Sequence, residues 1–359
     1  MSCYHPLIGV PSGELTEKGK KKLIMRSADL STDPLKEAKE NNGYIIPCGR
    51  CIGCRLDYSR KWADRMMLEL ETAKKGIFVT LTYDDEHLPV GEYEDTGLWN
   101  ITDKEFIKKK GLVFDGDSWL KPKYGTLNKK HCQDFMKRVR RHWPNIKIRF
   151  FLSGEYGENG TERPHYHVIL FGIGLADIGK LVQFGRNEIG QNYYLSPEME
   201  ERWPFGHVLV ADVSWETCAY VARYVVKKLS GPMSIEYAKK NRIKEFCLMS
   251  RKPGIGADYL KEHPDCLDLL SINISTPEGG RKISVPKYYL KQLVSENKEE
   301  NRLISTDKEK YDKIVEQRCR FASDAMLLEL QKTNLDYSDY LEVKENDLKE
   351  KFKALKRRV

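Results

Sequence analysis

His165 and His167 stand one residue apart in the run Arg163-Pro164-His165-Tyr166-His167-Val168-Ile169-Leu170-Phe171. Side chains on a strand alternate between faces, so both imidazoles project from one face while Tyr166, Val168 and Leu170 fill the other. Imidazoles placed this way can grip one metal ion together. The pair alone also fits a plain exposed strand face. A second feature lies downstream, in Tyr220, Tyr224 and Lys227. Residues at i, i+4 and i+7 share a helix face, so two phenols and an ammonium point together, with Trp215, Ala222, Val226 and Leu229 left for packing. Phenol titrates near pH ~10 in water, so a tyrosine nucleophile needs a cation to stabilise its phenolate. Lys227 can supply that charge, and a divalent metal can polarise the phosphoryl group under attack. Without the histidines, the tyrosines would read as rings covering a sheet edge.

Glu155 is the best third ligand. It ends a strand that turns back through Gly157 and Gly160 into the histidine strand, which sets it beside the imidazoles across the ladder. Two imidazoles and a carboxylate with open positions suit Mn²⁺ or Mg²⁺ acting on phosphate, although imidazole alone favours softer ions. Asp84, Asp85 and His87 are competing ligands, and a solvated loop carboxylate is the plain reading of Glu155. Separately, Cys48, Cys51 and Cys54 repeat at two-residue gaps, a knuckle spacing that wraps Zn²⁺. Cys3 would complete a tetrahedral site, with His5 as the alternate fourth ligand. An iron–sulfur cluster or reduced thiols are the other readings. Cys132, Cys218, Cys247, Cys266 and Cys319 are scattered and expected to be buried.

The elements that must hold these groups alternate along the chain. Residues 1–56 read as irregular and cysteine-rich. Residues 60–75 read as an amphipathic helix with Trp62, Ala63, Met66, Met67 and Leu70 on one side, and 77–83 as a strand. An acidic, glycine-containing stretch near 84–125 reads as an insertion with some structure of its own. Asn128 caps a helix to about His142 that carries Lys137, Arg138, Arg140 and Arg141. Strands follow over 146–152, through the histidines and over 206–213, with a helix over 175–184, and Ser214 caps the tyrosine helix. Strands joined by a hairpin and interspersed with helices predict an α+β fold with a largely antiparallel sheet. Beyond Ser295 the chain is charge-rich and helical.

The 359 residues suffice for one large domain or two smaller ones. Three segments are expected: a cysteine-rich knuckle over 1–58, a catalytic domain over 59–230 and a basic, helical region over 231–359. The net charge of +8 is compatible with a polyanionic partner without requiring one. No apolar run approaches the roughly 18 residues that span a bilayer, and the first residues lack a secretory pattern, so no membrane partner and a reducing compartment are expected. Gly13 and Gly19 are spaced one residue too far apart for a P-loop, and no Ser or Thr follows Lys20 and Lys21. ATP-driven strand separation would have to come from another protein.

In chain order, Phe78-Val79-Thr80-Leu81-Thr82-Tyr83, the His-Tyr-His strand and Tyr220-Val221-Ala222-Arg223-Tyr224-Val225-Val226-Lys227 resemble the three motifs of HUH-type rolling-circle replication initiators. The two-tyrosine form with an N-terminal cysteine cluster is similar to the initiators of microviruses, gokushovirus-like single-stranded DNA phages in particular. Arg251-Lys252-Pro253-Gly254-Ile255-Gly256 and Pro286-Lys287-Tyr288-Tyr289 share the likeness, which spans residues 1–290. The resemblance implies an HUH endonuclease-like central antiparallel sheet flanked by helices, beside the zinc knuckle and the helical C-terminal region. It implies that His165 and His167, with Glu155 by position, hold Mn²⁺ or Mg²⁺ against the scissile phosphate. Tyr224, which with Lys227 fits the family's Tyr-x-x-Lys motif, would attack first, become linked to the 5′-phosphate and free a 3′-OH for a host polymerase. Tyr220 would serve the second cleavage before the strand is rejoined into a circle. Arg223, Lys228, Arg251 and Lys252 are expected to contact DNA.

The function so implied is site-specific nicking and closing that initiates and terminates rolling-circle replication. Single-stranded origin DNA, replicative-form DNA and a host helicase and polymerase would be the partners, in the host bacterial cytoplasm. A zinc-stabilised nucleic-acid-binding protein without nuclease activity is the non-enzymatic alternative, and an HUH transposase or relaxase the enzymatic one. Relaxases usually carry their tyrosines near the N-terminus, ahead of the histidines, which is the reverse of the order here.

Overall fold

The computed structural model describes residues 3–15, 21–31, 33–157, 162–186, 190–227, 242–276, 279–294 and 303–356. Its first elements are β1 (Leu7–Leu15), β2 (Lys21–Ser27), α1 (Pro34–Glu40) and β3 (Tyr44–Ile46), with the strands pairing antiparallel in the order β2-β1-β3. This small sheet replaces the irregular segment expected there. Pro11 and the register shift between Pro11 and Leu15 break the alternation that would have revealed it. α2 (Ile52–Ala73) begins eight residues before the expected start, because Cys51 caps it by accepting the amide of Cys54 at 3.4 Å.

β4 (Gly76–Thr82) leads into the insertion, where β5 (Val90–Asp95), α3 (Lys104–Lys110), β6 (Val113–Phe114) and β7 (Trp119–Gly125) form a separate sheet in the order β5-β7-β6. α4 (Lys129–His142) follows its Asn128 cap, and β8 (Arg149–Tyr156) turns into β9 (Pro164–Phe171). A helix over 175–184 does not form. Leu175–Asp177 makes a single 3₁₀ turn, Gly179 at φ 71° ends it, and β10 (Val182–Arg186) is a strand. β11 (Asn192–Leu195), α5 (Pro197–Glu200), β12 (Val208–Asp212) and α6 (Trp215–Lys227) complete this half. Then come β13 (Phe246–Met249), α7 (Ala257–Glu262), the hairpin of β14 (Ser271–Thr276) and β15 (Gly279–Ser284), α8 (Lys287–Gln292), α9 (Lys308–Leu330) and α10 (Tyr337–Lys356).

Seven strands form one wholly antiparallel sheet in the order β10-β11-β12-β4-β9-β8-β13, as the α+β expectation required. Its last strand comes from beyond residue 230, so the segments expected over 59–230 and 231–359 share a sheet. Alternation splits β9 cleanly. Tyr166, Val168 and Leu170 pack with Phe135, Met136 and Val139 of α4, whereas Ile169 and Phe171 pack with Met66 of α2 and Val221 of α6. α2 and α6 therefore cover the face from which His165 and His167 project. Arg149 of β8 ties that face to α2 through Glu69 and to the following turn through the carbonyls of Pro253 (3.0 Å) and Gly254 (2.9 Å). The arginines of α4 serve structure too, since Arg138 and Arg140 donate to the carbonyls of Arg202 and Ile148.

Candidate metal and nucleophile site

Pairing across three adjacent strands builds the site. Glu155 of β8 stands opposite His165 of β9, which stands opposite Thr82 of β4, and Ser153, His167 and Thr80 make the next row. Side chains in both rows share a face, so Glu155 reaches His167 along the diagonal as well as its direct neighbour. The Glu155 Oε1 atom lies 2.8 Å from His167 Nε2 and 3.6 Å from His165 Nε2. One ligand atom from each of the three residues falls within 4.8 Å of the other two. Glu155 is buried at 1% exposure and His167 at 6%, so this is an interior cluster that opens to solvent through His165.

The other nitrogen of each ring is held. The carbonyl of Arg163 accepts from His165 Nδ1 at 3.1 Å, and Thr80 Oγ1 sits 3.1 Å from His167 Nδ1. Both Nε2 atoms are thereby turned toward the carboxylate, the arrangement that a ligating histidine needs. Phe78 stacks on the His167 ring with centroids 5.4 Å apart. Burial pushes the His167 imidazole down to about 3, which favours the neutral form that binds a metal, while the neighbouring carboxylate works the other way. Two neutral imidazoles and a carboxylate, oriented and converging, fit a divalent cation by donor chemistry and spacing.

α6 brings the phenol. Ser214 caps the helix by accepting the Thr217 amide at 3.3 Å, and Val221 and Ala222 bury its inner face. Tyr220 was expected to point away from the core. Instead it leans over the sheet, with its hydroxyl 3.4 Å from His167 Nε2 and its ring edge-on to the imidazole at 4.9 Å. The guanidinium of Arg223 lies 5.0 Å over the Tyr220 ring, which sets a cation at the mouth of the site. The backbone of Tyr224 and Lys227 continues the helix, whereas their side chains, and Lys228 altogether, lie outside the described residues. Arg251 and Lys252 are exposed just beyond β13, level with the start of β8 and hence at the opposite end of that strand from Glu155. Asp84 bonds His87 at 2.9 Å and Asp85 pairs with Arg163, so neither these two carboxylates nor His87 joins the histidine cluster. Thr80 and Phe78 are the contributors that reasoning on the sequence missed. Their alternation in the Thr-Leu-Thr strand was visible, but the strand they pair with was not.

The four cysteines also converge, with one sulfur from each of Cys3, Cys48, Cys51 and Cys54 within 4.8 Å of the rest and no disulfide among them. Amides point at the sulfurs: Cys48 N donates to Cys3 Sγ at 3.2 Å, Cys51 N to Cys48 Sγ at 3.3 Å, and Tyr4 N to Cys51 Sγ at 3.4 Å. Burial raises Cys48, but the amides of Arg50 and Cys51 outweigh it and bring the thiol down to about 7. Burial carries Cys54 up to about 11. Four thiolates this close would repel one another without a cation between them, so the donor set fits a thiophilic ion. His5, the alternate fourth ligand, is turned elsewhere and bonds Glu345 of α10 at 3.1 Å.

The family model for replication-associated protein ORF2 matches residues 76–229, which runs from β4 through the helix that bears the tyrosines. The chain is 29% identical over 326 residues to replication-associated protein ORF2 of Spiroplasma virus 4, covering 88% of each chain. The chain is a relative of viral replication-associated proteins. Replication-associated protein VP4 of Bdellovibrio phage phiMH2K is 29% identical, over 73% of this chain and 72% of its own. Replication-associated protein ORF4 of Chlamydia phage 1 is 27% identical, over 71% and 56% respectively. No solved structure matches the chain. No helix among the described residues is long and apolar enough to cross a membrane.

Proposed function

We propose that this relative of phage replication-associated proteins is a site-specific, single-strand DNA nicking-closing enzyme that initiates and terminates rolling-circle replication. The observation that carries the reading is the meeting of the Tyr220 hydroxyl with a buried His165–His167–Glu155 cluster at the centre of the sheet. His165, His167 and Glu155 would hold Mn²⁺ or Mg²⁺, and the cation would polarise the scissile phosphate and favour phenolate over phenol. A phenolate oxygen of Tyr220 or Tyr224 attacks phosphorus. A tyrosine O–P bond forms as the P–O3′ bond breaks, the electron pair departs on O3′, and that oxygen takes a proton to become a 3′-OH. In closure a 3′-OH attacks the phosphotyrosine and the phenol is released. Lys227, one turn beyond Tyr224, supports its phenolate, and Arg223 grips the backbone beside Tyr220. Two tyrosines allow cleavage of a second strand while the first remains attached. The Cys3–Cys48–Cys51–Cys54 cluster would hold structural Zn²⁺. A host helicase and polymerase would supply unwinding and extension in the bacterial cytoplasm.

The test incubates the protein with a pool of labelled single-stranded DNAs and Mn²⁺ and maps the covalently captured site. A 5′-linked adduct is expected, to be abolished in the Tyr220→Phe, Tyr224→Phe double variant. Adduct and nicking that survive both substitutions would overturn the mechanism. Salt-sensitive binding that survives His165→Ala with no bond cleavage would instead favour a nucleic-acid-binding protein without nuclease activity.

A further inference from the structure

The two histidines of the cluster are anchored by partners of different kinds, and the difference matters. His165 Nδ1 faces a backbone carbonyl, which can only accept a hydrogen bond, so its ring is fixed with the proton on Nδ1 and the lone pair on Nε2. His167 Nδ1 faces the hydroxyl of Thr80 at 3.1 Å, a group that can donate or accept. On its other side, His167 Nε2 lies 2.8 Å from Glu155 Oε1. With no cation present, the carboxylate draws a proton onto Nε2, and the Thr80 hydroxyl donates to Nδ1. To ligate a metal, Nε2 must give up that proton, and the neutral ring then carries its single proton on Nδ1.

From this geometry we infer that Thr80 is a positioning residue that lets His167 exchange tautomers on metal loading, donating to Nδ1 before and accepting from it after. The inference rests on the reading of His165, His167 and Glu155 as a divalent-metal site. The proton count is unchanged, since one proton leaves Nε2 and one is carried on Nδ1. The hydroxyl rotates and the ring keeps its orientation, held by the stack on Phe78. A group restricted to one role would leave a nitrogen of a ring only 6% exposed without a partner in one of the two states. On the other flank of His167 stands Ser153, fully buried, whose hydroxyl makes no hydrogen bond among the described residues and supplies a control of similar size and place.

The experiment measures Mn²⁺ affinity by paramagnetic resonance, and the His167 ring nitrogens by ¹⁵N spectroscopy with and without Mg²⁺, each on the full chain. Thr80→Val preserves shape and removes the hydroxyl, and it should weaken Mn²⁺ by about 10–100-fold, the usual effect of losing a partner behind a ligating histidine. The same variant should lose the Nδ1-protonated signal that Mg²⁺ induces in the parent. Thr80→Ser should restore both, and Ser153→Ala should leave both unchanged. Parent-like affinity and spectra in Thr80→Val would overturn the inference, as would a loss that Thr80→Ser fails to rescue. The metal reading is judged separately: if His167→Ala binds Mn²⁺ as the parent does, that reading falls, while the metal-free spectrum of Thr80→Val still decides whether Thr80 sets the tautomer.

Discussion

At the scale of single residues, function rests on three side chains whose positions were fixed by strand register. Glu155 is buried between two imidazoles, so its removal affects more than one ligand atom. Glu155→Gln preserves volume and removes the charge, and is expected to reduce Mn²⁺ affinity by more than the roughly 10–100-fold seen for outer partners, while thermal unfolding stays near the parent. Calorimetric titration checks this, and an unaltered affinity would exclude the carboxylate as a ligand. The histidine pair and Glu155 were legible in the sequence, because alternation on a strand and a hairpin are local rules. Thr80 was not. Its value comes from standing opposite His167, and pairing between β4 and β9 joins residues far apart in the chain.

At the scale of elements, the site depends on keeping α2, α6 and the sheet in register. The Arg149–Glu69 pair is the main staple, with Arg149 at 7% exposure and Glu69 at 2%. Arg149→Met would leave Glu69 buried with only the Gly256 amide, 2.6 Å away, and should cost about 3–5 kcal/mol in urea unfolding. Arg149→Met combined with Glu69→Leu should cost less, because no uncompensated charge remains. Equal losses from the single and double variants would show that packing, not charge, dominates. Gly206 is a second control point. A Cβ there would lie 2.4 Å from the carbonyl oxygen of Thr82 and 2.5 Å from the amide of Asp84, so backbone has to move. Gly206→Ala is expected to destabilise by about 1–3 kcal/mol in thermal unfolding and to displace the end of β4 beside His165. Helix α6 was readable from its spacing and its Ser214 cap. The helix expected over 175–184 failed because Val182 and Phe184 find strand partners in β11, a contact no local window contains.

At the scale of the whole molecule, the cysteine cluster joins the beginning of the chain to its end. Cys3 is tied to the start of α2, His5 bonds Glu345 of α10, and Leu35 of α1 packs against Met326, Tyr337, Tyr340 and Leu341. One equivalent of Zn²⁺ is expected on metal analysis. Removing it with a chelator, or substituting Cys48→Ser, should lower the midpoint of thermal unfolding and speed amide exchange in α10 ahead of β4, β8 and β9. Uniform exchange across α10 and the sheet strands would argue against a local clamp. The sequence by itself determined the chemistry on offer: which residue types recur at strand, helix and knuckle spacing, and an α+β chain without a nucleotide loop. Those are short-range consequences of backbone period, and they survive without knowledge of partners. Only the tertiary structure decided that Tyr220 leans onto His167, that Thr80 backs the ring, that Arg251 and Lys252 sit at the far end of β8, and that His5 serves Glu345 instead of the thiols. Each of those outcomes depends on which distant strands and helices pack together, and burial of apolar faces, which is non-directional and indifferent to sequence separation, makes that choice.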